Sequence, residues 1–401
     1  MRKLFSKAES RKKRIGIDAR FYGPTGKGLG RYTQEVVDNI LKIDKDNRYI
    51  IFLTKDNFDE FTPPSDAEVE KVMVNVRWYT LAEQIWMPFL IYKQKLDLVH
   101  FPHFNVPVFT PVKFVVTIHD LILTKFPTPR ASTLSPFFYK IKNLCYKIVI
   151  WCAINRAKAI IAVSEFTKND IVKQFNARAK KIKVTYEGVA NLAKGRDSLF
   201  VAKLDDNKTL LRYNINKDFF LYVGNAYPHK NLEKLIDAFK DLRKKNPGIQ
   251  LVLVGKEDYF YKRIKDRASS DGLWNEESRD NAIIFPDYVP DEKLEVLYKQ
   301  SIAYVFPSLY EGFGLPPLEA MAKGCPVVSS WAASMPEILG DAALYFDPEK
   351  RGDIKNKMET VRRDGELRKK MIRKGYEQAK KYSWWECARE TLEVYRKTIN
   401  T

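Results

Sequence analysis

Cysteine is scarce in this 401-residue chain. The four that occur, Cys145, Cys152, Cys325 and Cys387, are too few and too scattered for a disulfide framework, and they lack the paired spacing of a zinc site. A reducing compartment is expected. Long apolar runs are missing as well. The longest uncharged stretch, Leu98–Val112, has 15 residues and is interrupted by Pro102, Pro107 and Pro111, too short and too broken to cross a bilayer as a helix. The opening segment, MRKLFSKAESRKKR, carries seven basic residues and one acid with no apolar stretch behind it. It reads as a solvated basic tail (residues 1–13) and not as a secretory signal. Solenoid repeats and low-complexity segments are absent. The P-loop pattern fails because Lys27 is followed by Gly28, and the dinucleotide fingerprint fails because Tyr32-Thr33 stands where its third glycine belongs.

What is present is an ordinary globular composition, 45% hydrophobic and 30% charged, enough for two or three domains at about 150 residues each. Lys+Arg outnumber Asp+Glu by 69 to 50, a formal net charge of +19. Such a surface attracts polyanions: nucleic acid, anionic lipid head groups or phosphorylated small molecules.

Apolar β-branched runs alternate with amphipathic stretches. Strands are predicted at 14–17, 49–53, 98–101, 114–118 and 159–163, with a glycine-rich loop at Gly23–Gly30 and a helix from about Arg31 to Leu41. After a polar stretch, 193–216, the pattern restarts. Strands follow at 219–223, 250–254, 282–285, 303–306 and 326–329, with helices at 232–244 and 316–323. Strands separated by helices argue for parallel sheets covered on both faces. The expected architecture is α/β, with two doubly wound Rossmann-like domains over 1–205 and 206–383 and an amphipathic terminal helix from residue 384 to the end. One stretch differs in charge: Leu121 to Ser164 holds seven basic residues and no acid. Within it, Phe137, Ile141, Leu144, Ile148 and Trp151 share one helical face while Lys140 and Lys147 lie on another. A core-packed helix with solvated lysines is the favoured reading; a helix lying on an anionic membrane surface is the sharper one.

The segment most suggestive of chemistry is YEGFGLPPLEAMAKGCPVV, Tyr310–Val328, directly after the strand AYVF. Loops at strand C-terminal ends form the ligand crevice of open parallel sheets. Gly312 and Gly314 let backbone amides approach a ligand, and Pro316 and Pro317 suit a helix first turn, whose positive end makes an anion site. Glu311 before that helix and Glu319 in or near its first turn can bind two sets of hydroxyls on one ligand. Elsewhere, His100-x-x-His103 lacks an evident third metal ligand and reads as a loop or crevice feature. His119-Asp120, ending an apolar strand, would on its own more often be structural.

The spacing Glu311-x7-Glu319 within EGFGLPPLEAMA closely resembles the retaining glycosyltransferases of family 4, as do Val327–Pro348, Tyr222–Phe239, Ile15–Thr33, Leu98–Pro107, Val115–Leu121, Ile160–Ile171 and Val184–Val189, in colinear order over nearly the whole chain. The resemblance implies the GT-B fold: an N-terminal acceptor domain facing a C-terminal sugar-nucleotide domain across a cleft, with the terminal helix crossing back. It implies that Glu311 holds the donor sugar hydroxyls beside the amides of Phe313, Gly314 and Leu315, and that Glu319 binds the ribose. Lys230 neutralises the diphosphate, Gly28 and Gly30 offer amides across the cleft, and His119 sits by the transferred sugar. Many members carry an arginine shortly after the glycine matching Gly224. Here Asn225 and Ala226 follow it, so the second phosphate cation is open between His229 and Arg31.

No cofactor and no metal are expected; the sole D-x-D, Asp44-Lys45-Asp46, follows a predicted helix and does not suggest a metal-dependent transferase. The implied donor is GDP-mannose first and a UDP-sugar second. The implied acceptor is a saccharide or lipid-linked saccharide at the cytoplasmic face of the membrane, contacted through residues 121–164. A sugar-nucleotide epimerase of the same fold is the competing enzyme. A nucleic-acid binder is the competing non-enzyme, without a recognisable reading module, and no nucleic acid is expected.

Overall fold

The computed structural model describes residues 11–126, 136–189 and 202–401. Most of the basic tail, part of the 121–164 stretch and part of the polar stretch at 193–216 lie outside these residues. Two parallel sheets organise the chain. The first contains β1 (Arg14–Asp18), β2 (Arg48–Leu53), β3 (Val69–Met73), β4 (Leu98–Phe101), β5 (Phe114–Ile118), β6 (Ala159–Ala162) and β7 (Ile182–Val184), in the order β3-β2-β1-β4-β5-β6-β7. The second contains β8 (Asp218–Val223), β9 (Ile249–Val254), β10 (Ile283–Asp287), β11 (Ala303–Phe306), β12 (Val327–Ser330) and β13 (Ala343–Phe346), in the order β10-β9-β8-β11-β12-β13. The helices that matter below are α1 (Lys27–Ile43), α2 (Leu81–Lys93), α3 (Pro136–Arg156), α4 (Glu165–Phe175), α5 (Ala202–Arg212), α6 (Leu232–Lys245), α7 (Leu315–Ala322) and α8 (Trp384–Asn400).

The strands read as near-continuous apolar runs because both sheet faces are covered. Along β2, Tyr49, Ile51 and Leu53 enter one core with Tyr32, Val36 and Ile40 of α1 and Cys387, Leu392 and Tyr395 of α8. Ile50 and Phe52 point the other way, into a core shared with Met87 and Ile91 of α2, Ile150 and Ile154 of α3 and Ile171 of α4. α8 thus follows the second domain in sequence and packs against α1 of the first.

Several elements differ from the sequence reading. α1 begins at Lys27, four residues before the expected start, because Gly28 and Gly30 are accommodated inside its first turns instead of forming a loop. Strands β3, β7 and β13 and helix α2 were not expected. β3 and β13 are only half-buried, and β7 has three residues. The polar stretch contains α5, so residue 205 falls inside a helix. That helix belongs with the second domain: the Gln300 amide donates to Asp206 Oδ2 at 3.0 Å, and Leu210 packs on the second core.

The largest correction concerns α3. Its apolar stripe is not core-packed: Ile141, Leu144, Ile148 and Trp151 are exposed, and the inward face is formed by Ile150, Ala153 and Ile154. The side chain of Phe137 is outside the described set. Among the described residues no helix is long and apolar enough to cross a membrane.

Candidate active site

In both sheets strand order reverses direction between neighbours that are not consecutive in sequence, β1/β4 and β8/β11, which is where parallel sheets open a crevice at their C-terminal ends. The loop after β11 carries Glu311. Lys230 Nζ donates to Glu311 Oε1 at 2.6 Å, and Ser308 Oγ donates to the same oxygen at 2.6 Å. Both partners of the ion pair are nearly buried, at 12% and 11% side-chain exposure, so each is compensated by the other. Lys230 arrives on a single 3-10 turn, Pro228–Lys230, closed by Asn231 in the left-handed conformation (φ 60°). The Asn231 amide donates to Pro307 O at 3.2 Å and Pro348 O at 2.9 Å, and the Leu309 N–H donates to His229 O at 2.8 Å. These bonds tie the loops after β8 and β11 into one unit, which fixes Lys230 against Glu311.

Gly314, with φ +92°, turns the chain into α7, whose first turn carries two prolines, no acid and no side-chain cap. The amides of Phe313, Gly314 and Leu315 donate to no described residue. The Phe313 side chain itself is buried against Tyr186 and Tyr382. Glu319 is the fifth residue of α7, past the first turn, and Arg31 Nη1 of α1 forms an ion pair with it across the cleft. Burial pushes the Glu319 carboxyl above its ordinary value, while Arg31 pulls the other way. On α1, Gly28 borders open space, whereas a Cβ at Gly30 would lie 2.1 Å from Gly23 O. Gly28 is thus free to face a ligand, and Gly30 is needed to let the preceding loop pack on the helix.

The first domain closes on this loop. A Cβ at Gly312 would lie 1.7 Å from the His119 carbonyl oxygen. Ser164 Oγ donates to Gly312 O at 2.6 Å, and the Glu337 carboxylate accepts the N–H groups of Glu165 and Phe166 at 2.7 and 2.9 Å, capping α4 from the other domain. His119 Nδ1 lies 2.9 Å from Glu187 Oε1 and Nε2 lies 2.9 Å from Pro102 O. A carbonyl and a carboxylate accept hydrogen bonds, so both contacts favour the doubly protonated, charged ring. Burial opposes that charge, but the hydrogen bond and attraction of Glu187, the Pro102 carbonyl and the nearby Asp120 outweigh it and raise the His119 pKa. Both ring nitrogens of His119 are thus already engaged by protein partners. Glu187 went unnoticed in the sequence: a lone acid after a short edge strand carries no pattern of its own.

The remaining candidates are placed differently. Asn225 is engaged locally: its carbonyl accepts from Tyr222 Oη at 2.6 Å and its Oδ1 from the Tyr227 N–H at 3.3 Å. His100 is a core strand residue between Tyr395 Oη (2.6 Å) and Thr117 Oγ1 (2.9 Å), and His103 packs among Phe21, Phe104 and Tyr79. Burial, with the His119 charge, lowers both to about 3, so they are neutral. Asp120 is pushed up by burial, with the amide of Ile122, His119 and Lys230 opposing and Glu311 reinforcing the rise.

A raised folded pKa means that the charged His119 stabilises the fold fully below its unfolded value, about 6.5, and that this contribution fades as pH climbs through the raised value. Glu187→Gln is expected to flatten that decline. Thermal midpoints measured from pH 6 to 9 should fall more steeply in the wild type than in the variant, and equal slopes would exclude the charged pair.

Residues 27–190 match the family described as Glycosyltransferase Family 4, and residues 206–378 match Glycosyl transferases group 1. The chain is 32% identical over 304 residues to O-antigen chain mannosyltransferase B of Escherichia coli, covering 75% of this chain and 74% of that one. It is 27% identical to O-antigen chain mannosyltransferase RfbU of Salmonella typhimurium, covering 68% and 67%. Among solved structures, a glycosyltransferase from Rickettsia africae superposes with a TM-score of 0.70 at 19% identity, covering 97% of this chain and 99% of that one. With two Rossmann-like domains of the GT-B type, a family model on each, and a 32% identical relative matched over three quarters of both chains, the chain belongs to the family 4 glycosyltransferases.

Proposed function

We propose that this glycosyltransferase moves a hexose, mannose from GDP-mannose ahead of a UDP-sugar, onto a saccharide or lipid-linked saccharide in surface polysaccharide synthesis, with retention and without a metal. The observation that carries the reading is the Lys230–Glu311 pair on the loop that leads into α7, whose first amides donate to no described residue. The mannosyltransferase names of two relatives support the choice of sugar. In this reading Glu311 takes the sugar hydroxyls and Glu319 the ribose hydroxyls. The bond from the anomeric carbon to the phosphate oxygen breaks as the acceptor oxygen bonds to the same face of that carbon. The acceptor proton passes to the departing phosphate oxygen, and a nucleoside diphosphate leaves. Lys230 and the amides of α7 and α1 stabilise the charge that develops on it.

A donor panel of GDP-, UDP-, ADP- and dTDP-sugars, assayed with EDTA present, tests this. Turnover with GDP-mannose is expected to survive chelation, and Lys230→Ala should lower kcat by about a hundredfold or more. Loss of all turnover on chelation, or full turnover without any acceptor, would contradict the reading.

The acceptor's membrane setting rests on α3 and its neighbour α2. Both cover the same face of the first sheet. The loop after β4 joins them: the Val108 N–H donates to Gln84 Oε1 at 2.8 Å, and the Phe104 ring packs on Tyr146. Outward they present Trp86, Phe89, Phe109, Leu144, Ile148 and Trp151, all exposed. The only acid of α2, Glu83, is turned inward to Arg20 and Asn105. From Leu98 to Ser164 the sole acid is Asp120, in the cleft, while Lys140, Lys142 and Lys147 are exposed. Apolar and aromatic side chains interleaved with lysines fit an anionic bilayer surface. At about 1 kcal/mol per lysine, replacing all three by alanine should weaken binding to phosphatidylglycerol-containing vesicles roughly a hundredfold. Sedimentation that leaves binding unchanged would refute this face.

A further inference from the structure

We propose that Arg31, reaching from α1, is the second cation for the donor's diphosphate, replacing a charge that the loop after β8 does not provide. The proposal rests on reading the cleft as a nucleotide-diphosphate-sugar site. A diphosphate brings at least two negative charges, and Lys230 offers one positive charge that is already shared with Glu311. In the loop after β8, Asn225 is neutral and locally bonded, and Ala226 is buried. His229, the other cation open from the sequence, does not serve. It is 7% exposed, its carbonyl is taken by the Leu309 N–H, and burial pulls its imidazole down to about 4, so it is neutral near pH 7.

Arg31 has the placement that His229 lacks. It stands on the second turn of α1, beyond Gly28, which borders open space. Its side chain is about one-third exposed, at 36%, which leaves it room to rearrange. Its present partner, Glu319, is the carboxylate assigned to the ribose. In any nucleoside diphosphate the ribose ring and the first phosphate are joined through one CH2–O link, so a long guanidinium side chain that touches the ribose carboxylate is within reach of the phosphates. Five N–H donors in a fork allow Arg31 to keep one bond to Glu319 while forming two to phosphate oxygens, and the carboxylate has lone pairs left for hydroxyls. The pair across the cleft is then a preassembled half of the site. Arg31 opposes the rise that burial gives the Glu319 carboxyl before the donor arrives, and it turns toward phosphate afterwards.

The alternative is a latch that only positions Glu319. Calorimetric titration with GDP, UDP, guanosine and uridine separates the two. For the base that the wild type prefers, Arg31→Ala should weaken the diphosphate by about tenfold or more while changing the nucleoside little, the loss expected for a charge-assisted hydrogen bond. Arg31→Lys should recover part of that loss. Glu319→Gln should weaken nucleoside and diphosphate by similar factors. Equal weakening of both ligands by Arg31→Ala, or no weakening of the diphosphate, overturns the proposal. A wild type that binds neither diphosphate overturns the nucleotide-sugar reading itself, and the Arg31 proposal with it.

Discussion

A buried or partly buried carboxylate is costly without a partner. Glu311 is about nine-tenths buried and Glu319 is raised by burial, and an unpaired buried charge costs several kcal/mol. Each is therefore matched by a cation: Glu311 by Lys230 within the second domain, Glu319 by Arg31 from the first. The two pairs have different consequences. The first is short-range and rigid, fixed by a 3-10 turn and by Asn231. The second spans the cleft and is complete only when the two domains meet. The charge requirement of the site thus becomes a constraint on domain arrangement.

That constraint is repeated in uncharged form. Gly312 has no room for a Cβ because the His119 carbonyl lies against it, and Ser164 and Thr167 both donate to the Gly312 carbonyl. Glu337 caps α4 across the same boundary. The loop that carries Glu311 therefore takes part of its shape from the first domain. His119, whose pKa Glu187 helps to raise against burial, stands on the first domain's side of the boundary. Cationic groups from both domains converge on a place where the second domain presents its acids and open amides, an arrangement matched to a ligand with hydroxyls at both ends and negative charge between.

Much of this was legible in the chain, and the parts that were not have physical reasons. β4, β5 and β11 fall at the residues the apolar runs predict, because a strand covered on both faces is buried along its whole length and reads as a near-continuous apolar run. β3, with the sequence VEKVM, is half-buried, and β7 is too short to show a period. α2 contains Pro88 and exposes much of its apolar surface, so neither its composition nor its periodicity resembles a surface helix. Glu311 and Glu319 could be named because glycines, prolines and acids agree over a short segment, and Lys230 because the resemblance extends to Tyr222–Phe239. Glu187 could not, since its meaning depends on a histidine 68 residues away. Arg31 was visible as a residue but not as a partner, because a contact made only across the cleft leaves no local pattern.

The helix α3 shows where periodicity reaches its limit. Spacing correctly groups Ile141, Leu144, Ile148 and Trp151 on one side, but says nothing about which side faces the sheet. A second apolar set, Ile150, Ala153 and Ile154, fills the core in their place. A helix apolar on two faces carries more nonpolar surface than one domain can bury. Leaving that surface in water costs roughly 25 cal/mol for each Å², a cost removed only if something apolar covers it. Exposed lysines lie on a neighbouring face of α3, and the one acid of α2, Glu83, turns inward to Arg20. Exposed apolar surface thus meets positive charge on adjoining helices of the first sheet, a combination that the proposed membrane contact would use. It lies on the domain to which the resemblance assigns the acceptor, so an acceptor anchored in a membrane would be delivered to the side of the cleft opposite the nucleotide.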